Sequence, residues 1–420
     1  NSGSIAWVAE MPVVFDDAKR FALAVPVVIV GGGACGLIAA LAAKDAGADV
    51  LVLERDRAPS GSTALSSGFI PAAYTRFQRA AGGVDSPERF IADVMRKNHG
   101  EADPRMVETI CRASGRAIEW LADRCGISFV VVQDFLYPGH SALRMHAVPE
   151  KTGRAFMAAL NEACSRAGID MLCEAQVTAL HADSNRRVRG VSFSRRGEAL
   201  EEVGCNALVL ACCGFGGNPG MVKRHIPELA GVDYFGHTGN QGDAVVWGEA
   251  LGAGVADMSA YQGHGSVATP HGILITWALM MEGGIQVNAL GERFSNEHEG
   301  YSEQCVNVLA QPGRVAWNVY DERLHRLGLE FPDYRDAVAA SAIKSAPTLE
   351  LLASQTGLPF EGLNRTVRGC SGSAAGTASD PFGRNFTSKP ALQPPYYAVK
   401  VTGSLFHTQG GLVVNEQARV

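Results

Sequence analysis

The stretch VVIVGGGACGLIAALAAKDAGADVLVLER, Val27 to Arg55, constrains the fold most. A membrane-spanning helix needs about 20 continuous apolar residues. Here Gly31, Gly32, Gly33 and Gly36 break the run, and Lys44, Asp45 and Asp49 follow. The broken pattern predicts strand, turn, helix, strand, and no membrane span. Val27 to Val30 is β-branched, as a buried parallel strand is. Gly31-Gly32-Gly33 makes the turn. Cys35 to Ala46, rich in Ala and Leu, favours helix, and Gly47 stops it. Val50 to Leu53 is a second strand, running into Glu54.

The glycines fall as Gly31-x-Gly33-x-x-Gly36. In a dinucleotide-binding turn the first glycine permits the tight bend. The second admits a pyrophosphate, and the third lets helix and strand pack closely. The helix that opens at Ala34 would then offer free N–H groups and its positive dipole end to phosphate. Glu54, at the end of the second strand, is where a carboxylate accepts from ribose hydroxyls. Gly31, Gly33, Ala34, Gly36, Glu54 and the adjacent Arg55 are the first cofactor-binding candidates. Spacing alone does not choose between FAD and NAD. A glycine-rich turn without a ligand is the competing reading.

A chain of 420 residues exceeds the size at which one core stops growing, so two domains are expected. Hydrophobic residues at 46% and charged residues at 19% fit a soluble, enzyme-like chain. A net charge of −6 without basic runs argues against a nucleic-acid partner. The 10 cysteines include no CxxC pair and many sit in apolar contexts, Cys35 and Cys212 among them. Buried reduced thiols in a cytoplasmic location are expected. The 11 histidines show no HExxH, so no metal site is indicated. No secretory signal pattern is recognisable at the start.

Residues 59–70, PSGSTALSSGFI, read as a small-residue loop. Residues 86–125 read as mainly helical, with Pro87 and Pro104 near helix starts, and 151–167 as helical again. IDMLCEAQVTALHAD and VRGVSFSRR read as strands. Residues 205–218 repeat the strand-then-glycine turn, 371–379 as a flexible surface loop, and YYAVKVTGSLFHTQGGLVVN as strand.

GGGACG, GSTALSSG, LVLACCGFGGN, GNQGDAVVWGEALGA, GGIQVNALGERFSNE and GSLFHTQGGLVVN occur in this order. Together they resemble the flavoprotein family of soluble fumarate reductase, the succinate dehydrogenase flavoprotein and the 3-ketosteroid dehydrogenases. The resemblance runs from about Val27 to the C-terminus. It implies an α/β fold, a Rossmann-like FAD-binding domain with an inserted α+β capping domain that covers the flavin. Residues 1–262, with the helical segment 86–125 and completed by 404–420, would form the first domain, and 263–403 the capping domain.

Within the resemblance the cofactor is FAD. GSTALSSG matches the loop that runs along the pyrophosphate, so Ser62 and Thr63 would bond phosphate or ribitol. Ser67 and Gly68 would lie near the flavin ring, Gly214 would border the dinucleotide, and Val177 would meet adenine through its backbone. Asp243 keeps the carboxylate of a GDG-like turn, here GDA. No histidine stands in GSTALSSG, so the FAD would be noncovalent. No second GxGxxG is apparent, which implies a separate electron donor or acceptor.

For substrate, His264 matches the first histidine of fumarate reductases, Thr276 their threonine and His407 their later histidine. Trp277 stands at the acidic partner and Met280 at a nearby arginine. Tyr301 takes the place of the proton-donating arginine. Loss of these charges implies an apolar wall and a carbonyl-bearing, ketosteroid-like small-molecule substrate. Tyr301 would move a proton while the flavin exchanges hydride. A partly exposed core tyrosine and two structural histidines are the bland alternatives. A fumarate-reductase-like enzyme for a small carboxylate, or a flavin protein without turnover, are the rival functions. Relatives continue past GGLVVN with a flavin-contacting glycine-rich segment, and the sequence stops at Val420 ahead of any such segment.

Overall fold

A computed structural model describes residues 12–133, 136–387 and 389–420. They form two compact units. The first takes the chain up to Met221, Gly236–Ala260 and Thr408–Val420. The second takes Val222–Phe235 and Tyr261–His407.

The first unit is built on a seven-stranded sheet. Its order is Val13–Phe15, Ala175–Ala182, Val188–Arg195, Glu201–Leu210, Ala24–Val30, Val50–Leu53, Asp170–Leu172. The last four strands run parallel, with Leu208 opposite Val28 and Val28 opposite Leu51. Val28, Ile29 and Val52 are fully buried, as strands covered on both faces require. The helix Ala34–Asp45 turns Leu37, Ala40 and Leu41 inward and packs on the helix Gly153–Arg166 through Phe156, Met157 and Leu160. Each of the leucine, phenylalanine and methionine side chains contributes about 1.5–3 kcal/mol on full burial.

The helical segment is two helices, Pro87–Lys97 and Pro104–Cys125. Ser86 and Asp103 cap them by accepting from Arg89 and Arg105 N–H groups, and proline opens each first turn. Left-handed Gly126, φ 71°, ends the second.

The second unit centres on another sheet, ordered Ile273–Leu274, Tyr261–Ala268, Tyr396–Thr408, Val315–Asp321, Ile285–Val287, with Ile343–Ala346 also paired to Tyr396–Thr408. Val319 lies opposite Ala398, both fully buried. The segment Val222–Phe235 joins this unit by a parallel bridge from Tyr234 to Leu405. The same unit holds a buried ion network. Arg293 meets Glu297 and Asp380, and Arg384 meets Glu297 at 2.9 Å.

Three expectations change. Within 59–70, Gly61–Leu65 is a short helix. Serine and threonine favour caps over helix, but here Ser62 and Thr63 are held by tertiary hydrogen bonds. The loop expected at 371–379 is helical through Ala374. The Ser371 hydroxyl satisfies itself inside the helix by donating to the Val367 carbonyl. Cys35 and Cys213 are exposed rather than buried. Cys35 precedes the inward face of Leu37, Ala40 and Leu41 and lies on the helix's other side.

Candidate functional site

At the end of the strand Ala24–Val30 the chain turns through Gly31, whose φ is 106°. A Cβ there would sit 2.5 Å from the Ala211 carbonyl oxygen, and one on Gly36 would sit 1.9 Å from the Gly31 oxygen. Both positions are closed by backbone and admit only glycine. Gly33 is different. Its Cβ would meet nothing nearer than Thr63 Oγ1 at 4.0 Å, and as a glycine it supplies no capping side chain of its own. The turn is therefore tight at its ends and open at its middle glycine, facing a helix N-terminus.

Glu54 is buried, with Oε2 accepting from Gly32 N–H at 2.6 Å and Oε1 from Asp56 N–H at 2.8 Å. Thr63 Oγ1 accepts from Ala34 N–H at 3.3 Å. Ser62 Oγ accepts from His237 N–H and Asn240 Nδ2, which leaves its own proton to donate. Arg55 reaches the 236–240 segment, donating to the Gly239 carbonyl at 2.8 Å beside His237 Nδ1. His237 Nε2 in turn lies 2.8 Å from Asp56. Ser67 is exposed, while Gly68 is left-handed, and a Cβ there would stand 2.9 Å from Gly153. Val177 is buried in the strand Ala175–Ala182. Gly214 lies under Thr408, whose Oγ1 accepts from Phe215 N–H at 3.1 Å. Asp243 opens the helix Asp243–Ala250, and burial raises its carboxyl pKa against the pull of Arg55. A cavity of about 380 Å³ lies beside this group, lined in part by Arg55, Asp56, Glu174, Gln176 and Ser194.

In the second unit His264, Tyr301 and Trp277 come together. The His264 and Tyr301 rings stack with centroids 4.9 Å apart, and Trp277 stands edge-on to His264 at 5.7 Å. His264 Nδ1 accepts from Ser266 N–H at 3.2 Å, so the neutral ring carries its proton on Nε2. Burial pushes the His264 pKa down to about 3. Burial, with Glu303 nearby, holds the Tyr301 phenol above its usual value. The Trp277 indole N–H is buried without a partner. Thr276 Oγ1 caps the helix Ala278–Met281 by accepting from Ala278 N–H at 3.3 Å. Met280 has no exposed surface and belongs to the core, its carbonyl accepting from Arg384. His407 Nε2 lies 2.6 Å from Gln262 Oε1.

A sequence model described as the FAD binding domain matches residues 26–420. The chain belongs to the FAD-binding domain family. It is 30% identical over 398 residues to the NADH:fumarate oxidoreductase of Klebsiella pneumoniae, covering 94% of this chain and 42% of that protein. The open form of a flavocytochrome c3 fumarate reductase superposes with TM-score 0.79 at 28% identity, covering 95% of this chain and 70% of that one. A 3-ketosteroid-Δ4-(5α)-dehydrogenase from Rhodococcus jostii, in complex with 4-androstene-3,17-dione, superposes with TM-score 0.76 at 27% identity, covering 96% and 88%. The mixed α/β fold is that of FAD-dependent flavoproteins.

FAD is accordingly the cofactor, and the residues fit it. The open face at Gly33 admits a pyrophosphate to the helix N-terminus. Glu54 retains acceptor capacity for ribose beyond its two backbone bonds. Sequence reasoning missed His237, Asn240 and Thr408, which hold the candidate Ser62, Arg55 and Gly214 segments. Asn240 and Thr408 stood in the quoted strings GNQGDA and FHTQGG, whose glycines drew attention away from the polar neighbours, while His237 lies just ahead of the first string. Among the described residues no helix is long and apolar enough to cross a membrane.

Proposed function

We propose that the chain acts as an FAD-dependent oxidoreductase on CH–CH bonds. It would interconvert a C–C single bond and an α,β-unsaturated bond in an apolar, carbonyl-bearing, ketosteroid-like molecule. The observation that carries this reading is the Tyr301–His264 stack, an ionisable phenol against a neutral imidazole. Bound FAD supplies two-electron redox chemistry. Tyr301, its phenol held protonated by burial, would give its proton to the substrate carbon in the reducing direction and, as phenolate, would take that proton in the reverse one. Trp277 stands edge-on to Tyr301, ring centroids 6.5 Å apart, and would back the phenol with apolar packing. A dicarboxylate needs cationic partners. The buried arginines of this unit, Arg293 and Arg384, are matched by Glu297 and Asp380.

A small-carboxylate reading stands second, favoured by the fumarate-reducing names of the relatives. Because the chain spans 42% of the Klebsiella protein, electron partners belong to the proposal. We take the donor or acceptor to be separate. The location is taken as cytoplasmic, in keeping with ten cysteines that are all free.

The test is a paired assay of FAD-loaded protein, with 4-androstene-3,17-dione plus an artificial electron acceptor, and with fumarate plus reduced viologen. Faster turnover of the ketosteroid supports the proposal. Faster fumarate reduction restores the carboxylate reading, and full flavin with neither activity leaves a protein without turnover.

A further inference from the structure

The segment 236–240 is tied to both ends of the cofactor site, and His237 makes a tie at each. Its backbone N–H donates to Ser62 Oγ at 3.0 Å, where Asn240 Nδ2 also donates at 2.9 Å. Its ring reaches the other end, beside the residues that follow Glu54. Nε2 lies 2.8 Å from the Asp56 carboxylate. Nδ1 accepts from the Gly239 N–H at 3.1 Å and lies 3.1 Å from Arg55 Nη2.

These partners decide where the ring carries its proton. The Asp56 carboxylate only accepts, so Nε2 is protonated. Arg55 and the Gly239 amide only donate, so Nδ1 keeps its lone pair. The ring that fits this arrangement is the neutral one. A second proton, on Nδ1, would keep the Asp56 bond but turn an N–H toward two donors, and both would have to leave. An imidazolium would also face the Arg55 guanidinium with like charge. His237, Arg55 and Asp56 are half-buried, so protons from solvent reach the ring.

Arg55 lies directly on Gly239, where a Cβ would stand 1.3 Å from its Nη2. The charged groups facing His237 are thus Arg55 and Asp56, on the turn after Val50–Leu53. Asp243, on the helix Asp243–Ala250, acts on it only through Arg55. From the helix Gly61–Leu65 the uncharged Ser62 hydroxyl faces it.

We propose that His237 is a positioning residue of the cofactor site and a proton-operated latch on it. Neutral, it holds Arg55 and the 236–240 segment between Glu54 and Ser62, along the path of the dinucleotide. Protonated, it frees Arg55 and the Gly239 amide, and FAD leaves faster.

The test is the rate of FAD release from the loaded protein, followed by flavin fluorescence after dilution. It is measured at about pH 8 and about pH 5.5, a range in which imidazole changes charge. Wild-type release accelerates in acid by about 10-fold or more, the worth of one or two lost hydrogen bonds. His237→Asn puts an amide oxygen where Nδ1 stands, which accepts as before and takes no proton. It releases FAD about 2- to 10-fold faster than wild type in the alkaline buffer, for the lost Asp56 bond, and changes less than about threefold in acid. His237→Leu lacks both groups and releases FAD about 10-fold or more faster than wild type in the alkaline buffer, with little further change in acid. Gly239→Ala displaces Arg55 without altering the imidazole, at a backbone position outside the left-handed region. It should raise alkaline release and shrink the acid effect.

Apo-protein melting temperatures in both buffers show that the variants fold. Acid acting on the buried histidines is common to all of them, so the difference in slope isolates His237. Wild-type release that ignores pH or slows in acid overturns the proposal. So does an acid response in His237→Asn equal to that of wild type, the result expected of a histidine that only packs. The readout is flavin binding and holds whatever the substrate.

Discussion

The imidazole of His264 lies face to face with the phenol of Tyr301, ring centroids 4.9 Å apart and planes 11° apart. Tyr301 opens the helix Tyr301–Leu309 directly after left-handed Gly300, φ 132°. His264 belongs to the strand Tyr261–Ala268. The stack therefore joins a helix start to a central strand, and the phenol inherits the rigidity of both.

Tyr301→Phe keeps the stacked ring and removes only the hydroxyl. Turnover is expected to fall about 10²–10⁴-fold, the usual contribution of positioned proton transfer. FAD content should stay at wild-type level, because the phosphate turn belongs to the other unit. Near-native turnover by a fully FAD-loaded variant would leave Tyr301 as packing, and attention would pass to His407.

Acid should destabilise the protein through its buried histidines. Burial holds His264 at about 3, and burial first also lowers His140 and His298 to about 4. In the unfolded chain each titrates near 6.5. Between these values the unfolded state binds protons that the folded state refuses, so stability is full above about pH 6.5 and declines as pH falls toward 3–4. Urea midpoints measured from pH 7.5 to 4.5 should fall, and His264→Phe should make that fall shallower. An unchanged slope in the variant would mean that His264 is not kept neutral.

Gly33→Ala and Gly36→Ala should separate binding from folding. A methyl on Gly33 meets open space, so the apo-protein should melt as the wild type does. FAD affinity should drop by about 10- to 100-fold, the worth of one lost charge-assisted hydrogen bond to phosphate. A methyl on Gly36 would meet the Gly31 oxygen at 1.9 Å, so that variant should lose stability with or without FAD. FAD titration and apo melting curves check both. Undiminished affinity in Gly33→Ala would move the phosphates away from this turn.

Arg144 is fully buried, and its guanidinium bonds Asp85 at 2.9 and 3.0 Å and Asp93 at 2.7 Å. Burial alone would raise the Asp93 pKa, but hydrogen bonds from Ser141, Arg96 and Arg144 hold it below the usual carboxylate range. Arg144→Met removes the buried cation shared by the two carboxylates and should cost about 3–5 kcal/mol by urea unfolding. Replacing both aspartates by asparagine in the same background should recover part of the loss. A cost below about 1 kcal/mol would show that water reaches the site.

The sequence by itself determined what repeats locally. Strand, glycine turn, helix and second strand between Ala24 and Leu53 were legible because β-branched runs, glycine spacing and an Ala-Leu helix each act within a few residues. The prolines near the helix starts and the apolar spacing likewise announced the helices Pro87–Lys97 and Pro104–Cys125. Only the tertiary structure decided which distant groups meet. Arg55 finding Gly239, Phe235 finding Phe406, and Arg144 entering a pocket made by Asp85 and Asp93 leave no periodic trace. Met280, expected from its position to face substrate, is turned into the core, and Ser62 is already engaged by His237 and Asn240. Backbone preference is a property of neighbours along the chain. A side chain's final partner is set by sheet register and packing between segments far apart in sequence.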